Sequence, residues 1–420
     1  MGLRRWFKTA HFIPTNSSSF KTQDVVMNRS MNIQQMIVRS PLSLLCLLGL
    51  TLIASPVAAQ VFESGPSDAK LFDSIINVTD DPEIESTPSI GDGQSIGGDE
   101  DGLSIQLNVT QAGSVGFLFT ANSGSEVNIS SGSVGASFDA NSGSEVNISG
   151  GSVGDGFDAN SGSLVNISGG TVGDLFDANA GSVVNISGGS LGDAFDANVG
   201  SEVNISGGSV GNGFNASTTV NISGGSVGDD FDAFSGSVIN ISGGVVGASF
   251  DANFGSVVNI SGGAVSAGFE ASTGSAVTIR GGSVSDNFVV NGSISLVGRD
   301  FVLDGVSLDD GLKIGDALTV GERDVTLTGQ FTDGTPFSFD LNSTSPDEGG
   351  SVFAPDANLT VTLFLLLGDT NQDGVLNFAD IPRFVESILS GTFLAEADVN
   401  QDGEVNFQDV GPFIQVLIAN

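Results

Sequence analysis

The phrase "SEVNISGGSVGDGFDAN" at residues 144–160 returns one period later as "SLVNISGGTVGDLFDAN" at residues 163–179. The Asn of its "VNIS"-type core recurs at 128, 147, 166, 185, 204, 221, 240 and 259, and Thr278 takes the next place. Every step is 19 residues except one of 17, and Phe keeps the same step from Phe119 to Phe288. A period this short and this regular restricts the chain to repeat architectures, in which each unit contacts its neighbours in sequence. Inside a unit, Val146 and Ile148 flank Asn147, while Phe157 and Ala159 flank Asp158, which is the strand period of two. The "SGG" and "SG" pieces supply glycine for corners, and no segment of the repeat offers ten residues of helical periodicity.

A unit therefore accommodates three short strands, three corners and about five inward side chains. One unit cannot bury its apolar face alone; stacked units can, making Val-on-Val, Ile-on-Ile and Phe-on-Phe ladders. The fold class predicted is mostly β: a parallel β-helix or solenoid, with right-handed coils the better expectation and a small α-helical C-terminal domain. Ten coils at the strand spacing of ~4.8 Å would extend about 50 Å. The single short step falls where "NASTT" (215–219) replaces a longer segment, and a deletion is tolerated best at a corner. The pattern over residues 105–297 resembles the secreted β-helix repeats of large bacterial adhesins, a resemblance that bears on architecture more than on activity.

Residues 60–103 are acidic and irregular, with "LFDSIINV" (71–78) expected as a capping strand. Residues 298–367 lose the period but keep alternation in "DVTLTGQF", "TPFSFDLN" and "NLTVTLFLL", as expected of a terminal β-cap. The expected division is thus 1–59, 60–103, 104–297, 298–367 and 368–420. The first of these reads as a secretory signal region, with Arg39 before the apolar run "LSLLCLLGLTLIA" (42–54) and small residues Val57 and Ala59 before a cut. The run is short for a membrane span, so none is expected once the signal is removed. Secretion to the exterior or the cell surface follows.

Charge and absences narrow the chemistry. Twelve Lys and Arg stand against 49 Asp and Glu, a formal net charge of −37, and no Lys or Arg lies between Leu71 and Ile279. Such a chain repels phosphate backbones, so nucleic acid is not an expected partner. The only His (His11), Cys (Cys46) and Trp (Trp6) precede residue 60, and Tyr is absent. That leaves no Ser-His dyad, Cys nucleophile, disulfide or ordinary zinc site downstream. The hard cation suited to the remaining oxygen ligands is calcium. Asp139, Asp158, Asp177, Asp196, Asp232 and Asp251 each follow an inward Phe and so point outward, either as a solvated ladder or as calcium ligands between coils. The repeated N-x-S triplets are produced by the period itself.

The C-terminus carries the most specific motif. "DTNQDGVLNFAD" (369–380) and "DVNQDGEVNFQD" (398–409) share one pattern, D-x-N-x-D-G-x-x-N-x-x-D, at an offset of 29. Each is a twelve-residue calcium loop, giving two ions in all. In the first, Asp369, Asn371, Asp373 and Asp380 supply side-chain oxygens, Val375 its carbonyl and Asn377 a direct or water-bridged ligand. In the second the corresponding residues are Asp398, Asn400, Asp402, Asp409, Glu404 and Asn406, with Gly374 and Gly403 at the sharp sixth position. An amphipathic helix follows each loop: Ile381, Phe384, Ile388 and Leu389, then Val410, Phe413, Leu417 and Ile418. Pro382 and Pro412 sit in the first turns, where the missing amide donor is harmless.

This duplicated loop–helix pattern, without the entering helix of an EF-hand, resembles a type I dockerin over residues 368–420. The resemblance implies docking onto a cohesin module and membership of extracellular polysaccharide-degrading systems. In that family the tenth and eleventh loop residues help choose the partner, typically as a small or hydroxyl pair; here they are Phe378-Ala379 and Phe407-Gln408. The expected function is a secreted or cell-surface, non-catalytic structural or adhesion protein, a solenoid spacer bearing a calcium-dependent docking module with a cohesin-like protein partner. The alternative is an enzyme or component acting on an extracellular polysaccharide, which a convergent cleft of carboxylates with Arg280, Arg299 or Arg323 would favour. No catalytic residue is selected by the sequence.

Overall fold

The computed structural model describes residues 74–78, 89–90, 95–96 and 105–419, except 112, 286, 310–311, 345–349 and 372–374. The expected signal region, 1–59, lies outside the described residues. Each coil has three β pieces. In the strand Glu145–Val153, residues 145–148 alternate half-buried and buried; the ladder then shifts register at Ser149 and resumes at Ser152 and Val153. Gly151 makes that corner with a φ of 73°, and a Cβ there would lie 2.7 Å from the Gly132 carbonyl oxygen of the coil before. Only glycine fits such a left-handed, close approach. Asp158–Ala159 forms the third piece.

Adjacent coils pair in parallel with like residues opposed: Val146 with Val165, Asn147 with Asn166, Ile148 with Ile167 and Asp158 with Asp177. The five expected inward side chains of this unit, Val146, Ile148, Val153, Phe157 and Ala159, are all buried. Ring centroids from Phe119 to Phe269 follow one another at 4.5–5.2 Å, and the rings from Phe138 onward are stacked. On the outer surface Asn128, Asn147, Asn166 and their successors to Asn259 form an amide ladder, each Nδ2 donating to the previous Oδ1 at 2.9–3.1 Å. The Asn of each repeated N-x-S triplet in this run thereby has its amide engaged by its neighbours. The 17-residue step falls at a corner, as expected. Only Ser217 and Thr218 separate Asn215–Ala216 from Thr219–Val227, and Thr218 Oγ1 donates to the Ser201 carbonyl.

Both flanks hold strands where the sequence predicts them, and each adds more. The segment expected to be irregular contributes a further coil. Ser74–Val78 runs parallel to Ile105–Val109, but Ser89–Ile90 and Ser95–Ile96 also pair in parallel with Ser114–Val115 and Thr120–Ala121. Long connections between these strands hide the period. At the other end, residues 298–367 are more than a cap. The strand Ser293–Leu303 begins in the stack and the chain then leaves it as an antiparallel hairpin, Thr326–Phe331 with Pro336–Asp340. It rejoins the stack at Val352–Phe353 and Asn358–Leu363, parallel to Val289–Val290 and Ser293–Leu303. Phe331, Phe337 and Phe339 close the core, and Phe288 turns edge-on to Phe339 and Phe353 where the ring stack ends. Ala317–Val320, a strand the sequence reading missed, covers the edge of Asn358–Leu363.

Two outcomes follow for the stack. Phe195, 1% exposed between Phe176 and Phe214, should lose ~3–5 kcal/mol of stability on change to Ala. Asp196→Ala should be near neutral in the same urea titration; the reverse order would contradict the inward and outward assignment. The carboxylate ladder gives a pH dependence. Burial, then the charges of Asp177 and Asp139, pushes Asp158 up to about 6. Burial, then Asp232, Glu270 and Asp230, pushes Asp251 up to about 6. The folded state thus binds protons that the unfolded chain, with carboxylates near ~3.9, releases. Their stabilising contribution is full below that value and is lost as pH rises through about 6. The solenoid's urea midpoint should therefore be higher at pH 5 than at pH 7, and Asp158→Asn with Asp251→Asn should narrow the gap.

Candidate metal and docking site

The chain passes from the last coil into its C-terminal module through Gly368, whose φ is 94°. A Cβ at that position would meet Leu376 at 2.8 Å and Val416 at 3.2 Å, so the entry turn requires glycine. Two loop–helix units follow, with helix α1 at Ile381–Ser390 and helix α2 at Val410–Ala419. Gly391, with a φ of 67°, ends α1 in the left-handed conformation usual for a helix stop.

The two loops repeat one bonding scheme. Asp380 accepts from Asn371 N at 3.1 Å and Asn377 N at 2.8 Å; Asp409 accepts from Asn400 N at 3.1 Å and Asn406 N at 2.9 Å. Asn377 and Asn406 each accept from the amide two residues on, Ala379 and Gln408. In the second loop Asp398 accepts from Asp402 N and Gly403 N at 3.0 and 2.9 Å, and Asp402 accepts from Glu404 N. Gly403 has a φ of 88° at the sixth position. Asp369, Asp380, Asp398 and Asp409 are buried, whereas Asp402 and Glu404 are exposed. In the first loop Asn371, Val375 and Asn377 take the corresponding places. Asp373 and Gly374 lie outside the described residues.

These donors suit a hard cation. Among the described residues no Lys or Arg forms an ion pair with Asp380, Asp398 or Asp409, and buried carboxylates are costly without a counter-charge. Among the described residues, too, no three Asp, Glu, His or Cys side chains gather tightly enough to hold an ion by themselves. The donor set instead mixes carboxylates with Asn amide oxygens and a main-chain carbonyl, the all-oxygen combination calcium takes.

The helices pack through one aromatic contact. Phe384 and Phe413 stack with centroids 3.8 Å apart and planes 6° apart, and Ala397 and Val399 complete the buried cluster. Leu367, Ile388, Val410 and Leu417 pack against it. The apolar faces are narrower than the sequence reading made them: Leu389 and Ile418 are 74% and 73% exposed, and Ile381 is also exposed. At about 100° per residue, a side chain five positions beyond the Phe is turned about 140° away from it. These residues join Val385, Ile414, Phe378 and Phe407 as exposed apolar groups, and Phe378 and Phe407 share the tenth loop position. Val385 and Ile414 were not singled out by the pattern, although they share the helical spacing.

The three arginines of the enzyme alternative do not converge. Arg323 donates to the carbonyls of Val320, Glu322, Phe353, Ala354 and Ala357, and Arg299 pairs with Glu396, while Arg280 is exposed. A depression of ≈ 300 Å³ between the hairpin and the last coils has Asp340 as its sole carboxylate. The family model of the dockerin type I domain matches residues 367–415. No curated protein and no solved structure matches the chain. Residues 367–415 are thus a dockerin type I domain, set after a β-solenoid of about ten turns with ~19-residue periodicity. Domains of this family bind calcium and dock onto cohesins, and proteins that carry them are typically extracellular. No helix among the described residues is long and apolar enough to cross a membrane.

Proposed function

We propose that this chain is a secreted or cell-surface, non-catalytic structural or adhesion protein, in which the solenoid is a spacer and display surface and the dockerin domain makes the specific attachment. The observation that carries this reading is the division of labour between the two parts. The solenoid's inward side chains are spent on an unbroken self-stacking core, Arg323 on carbonyls of its cap and Arg299 on a pair with Glu396 of the module. Exposed apolar groups occur along the solenoid too, Phe234 and Phe254 among them, but they are densest on the short module, where Phe378, Phe407, Val385, Leu389, Ile414 and Ile418 are exposed. Exposed apolar groups at that density suit a protein-binding face. The partner is a cohesin-like module whose contact surface receives apolar, partly aromatic groups, because Phe occupies the tenth position of both loops.

Two calcium ions would be held by the twelve loop positions named from the sequence, and would offset the mutual repulsion of the carboxylates gathered in each loop. Metal binding and completion of the docking face are then linked. Asp373→Ala with Asp402→Ala should reduce the calcium stoichiometry seen by calorimetry and abolish capture of cohesin modules in calcium, while the solenoid's β-type circular dichroism stays unchanged. A double variant that captured the same modules as well as the unaltered chain would move docking away from these loops.

A further inference from the structure

A buried ion pair joins the two parts of the chain. Arg299 lies on Ser293–Leu303, at the point where the last regular coil gives way to the hairpin, and Glu396 lies just before the second calcium loop. Their side chains are 8% and 3% exposed, with Arg299 Nη1 3.2 Å from Glu396 Oε1 across 97 residues of sequence. Arg299 Nη2 reaches Gln330 Oε1 of the hairpin at 3.4 Å. Glu396 has a second attachment: its carbonyl accepts from Gly368 N at 2.8 Å, the residue immediately before the first loop. One residue therefore fixes the start of the module by its main chain and the solenoid by its side chain, two positions ahead of the ligand candidate Asp398.

The surrounding packing leaves little freedom. Leu367, the last residue before Gly368, packs into the module's own Phe384–Phe413 core, and Phe364 N donates to Gly298 O at 2.6 Å beside Arg299. A buried ion pair adds little to stability over an apolar substitute, yet losing one member strands the other charge in a dry site and selects against that geometry. Such a pair acts through specificity: it holds one orientation.

We propose that the solenoid's terminal coil is a built-in partner of the docking module, and that Arg299 is the positioning residue that fixes the module's direction on the rod and holds its second loop ready for calcium. The display surface is then presented at a set angle to whatever the module docks on. Ordering completed before binding is ordering the metal no longer has to supply, so attachment raises calcium affinity. The affinity half of this inference rests on the calcium reading above; the orientation half does not.

The test uses the full chain with Cys46 replaced by Ser and nitroxide labels on Val199→Cys and Glu386→Cys, both at exposed positions. Pulsed electron–electron distance measurement in calcium should give one narrow distribution. Arg299→Met should broaden it and weaken calcium binding at one site about tenfold. Arg299→Met with Glu396→Met, which removes both charges, should narrow the distribution again and recover most of the affinity. A broad distribution in the unsubstituted chain would overturn the fixed orientation. Broadening in Arg299→Met with calcium affinity unchanged would overturn the preorganised loop. Absence of calcium binding in the unsubstituted chain would instead refute the calcium reading, while the distance distribution would still decide the orientation.

Discussion

Each turn of the chain hydrogen-bonds to the next in register, and nearly every other feature depends on that pairing. Gly143 N donates to Gly162 O, Asp158 N to Phe138 O and Asn160 N to Ala140 O, so the ladder holds at the corners as well as along the faces. Because the period places like on like, a residue type is acceptable only if it tolerates itself as a neighbour ~4.8 Å away. Val, Ile and Phe do so by packing, and Asn by bonding amide to amide. Glycine does so at corners because a side chain would meet the backbone of the coil before. Asp tolerates it least, since equal charges repel at that spacing and each ladder position is partly withdrawn from water. The upward displacement of the Asp158, Asp177 and Asp251 carboxyls is the direct consequence.

Stacking of this kind has no intrinsic stop, so the ends need separate solutions. The C-terminal end departs from the period through the hairpin, whose Phe331, Phe337 and Phe339 cover the last layer of the core. The chain then returns to add one more parallel turn before it enters the dockerin domain. That return places Gly368 beside the hairpin side of the cap, where Glu396 can meet Arg299. Closing the solenoid and seating the docking domain are consequently one structural event.

The repeat was legible because it is a local pattern copied many times: the strand period of Val146 and Ile148, the inward Phe157 and the corner at Ser217–Thr218 all follow from it. The dockerin domain was legible for a similar reason, two loops in one register. What escaped the sequence depends on contacts between distant positions. The coil at residues 74–96 is hidden by long connections, and the return of residues 352–363 to the stack is hidden by the hairpin between. The Arg299–Glu396 pair spans 97 residues, and no periodicity links its members. Spacing alone puts Leu389 and Ile418 inward, but each ten-residue helix meets its partner along a stripe narrower than the spacing allows.

Each copy of the repeat supports the next, and the proposed function gives no single copy a separate role. Deleting residues 164–182 removes one whole period and brings Ser163 to Val183, the residue that already pairs with Leu164 in register. This shortened chain should keep its β-type circular dichroism, unfold cooperatively in urea and match the full chain in calcium and cohesin binding. Deleting residues 164–173 alone should destroy the fold, because it sets inward residues against outward ones. A 19-residue deletion that unfolded the chain or abolished docking would contradict the claim.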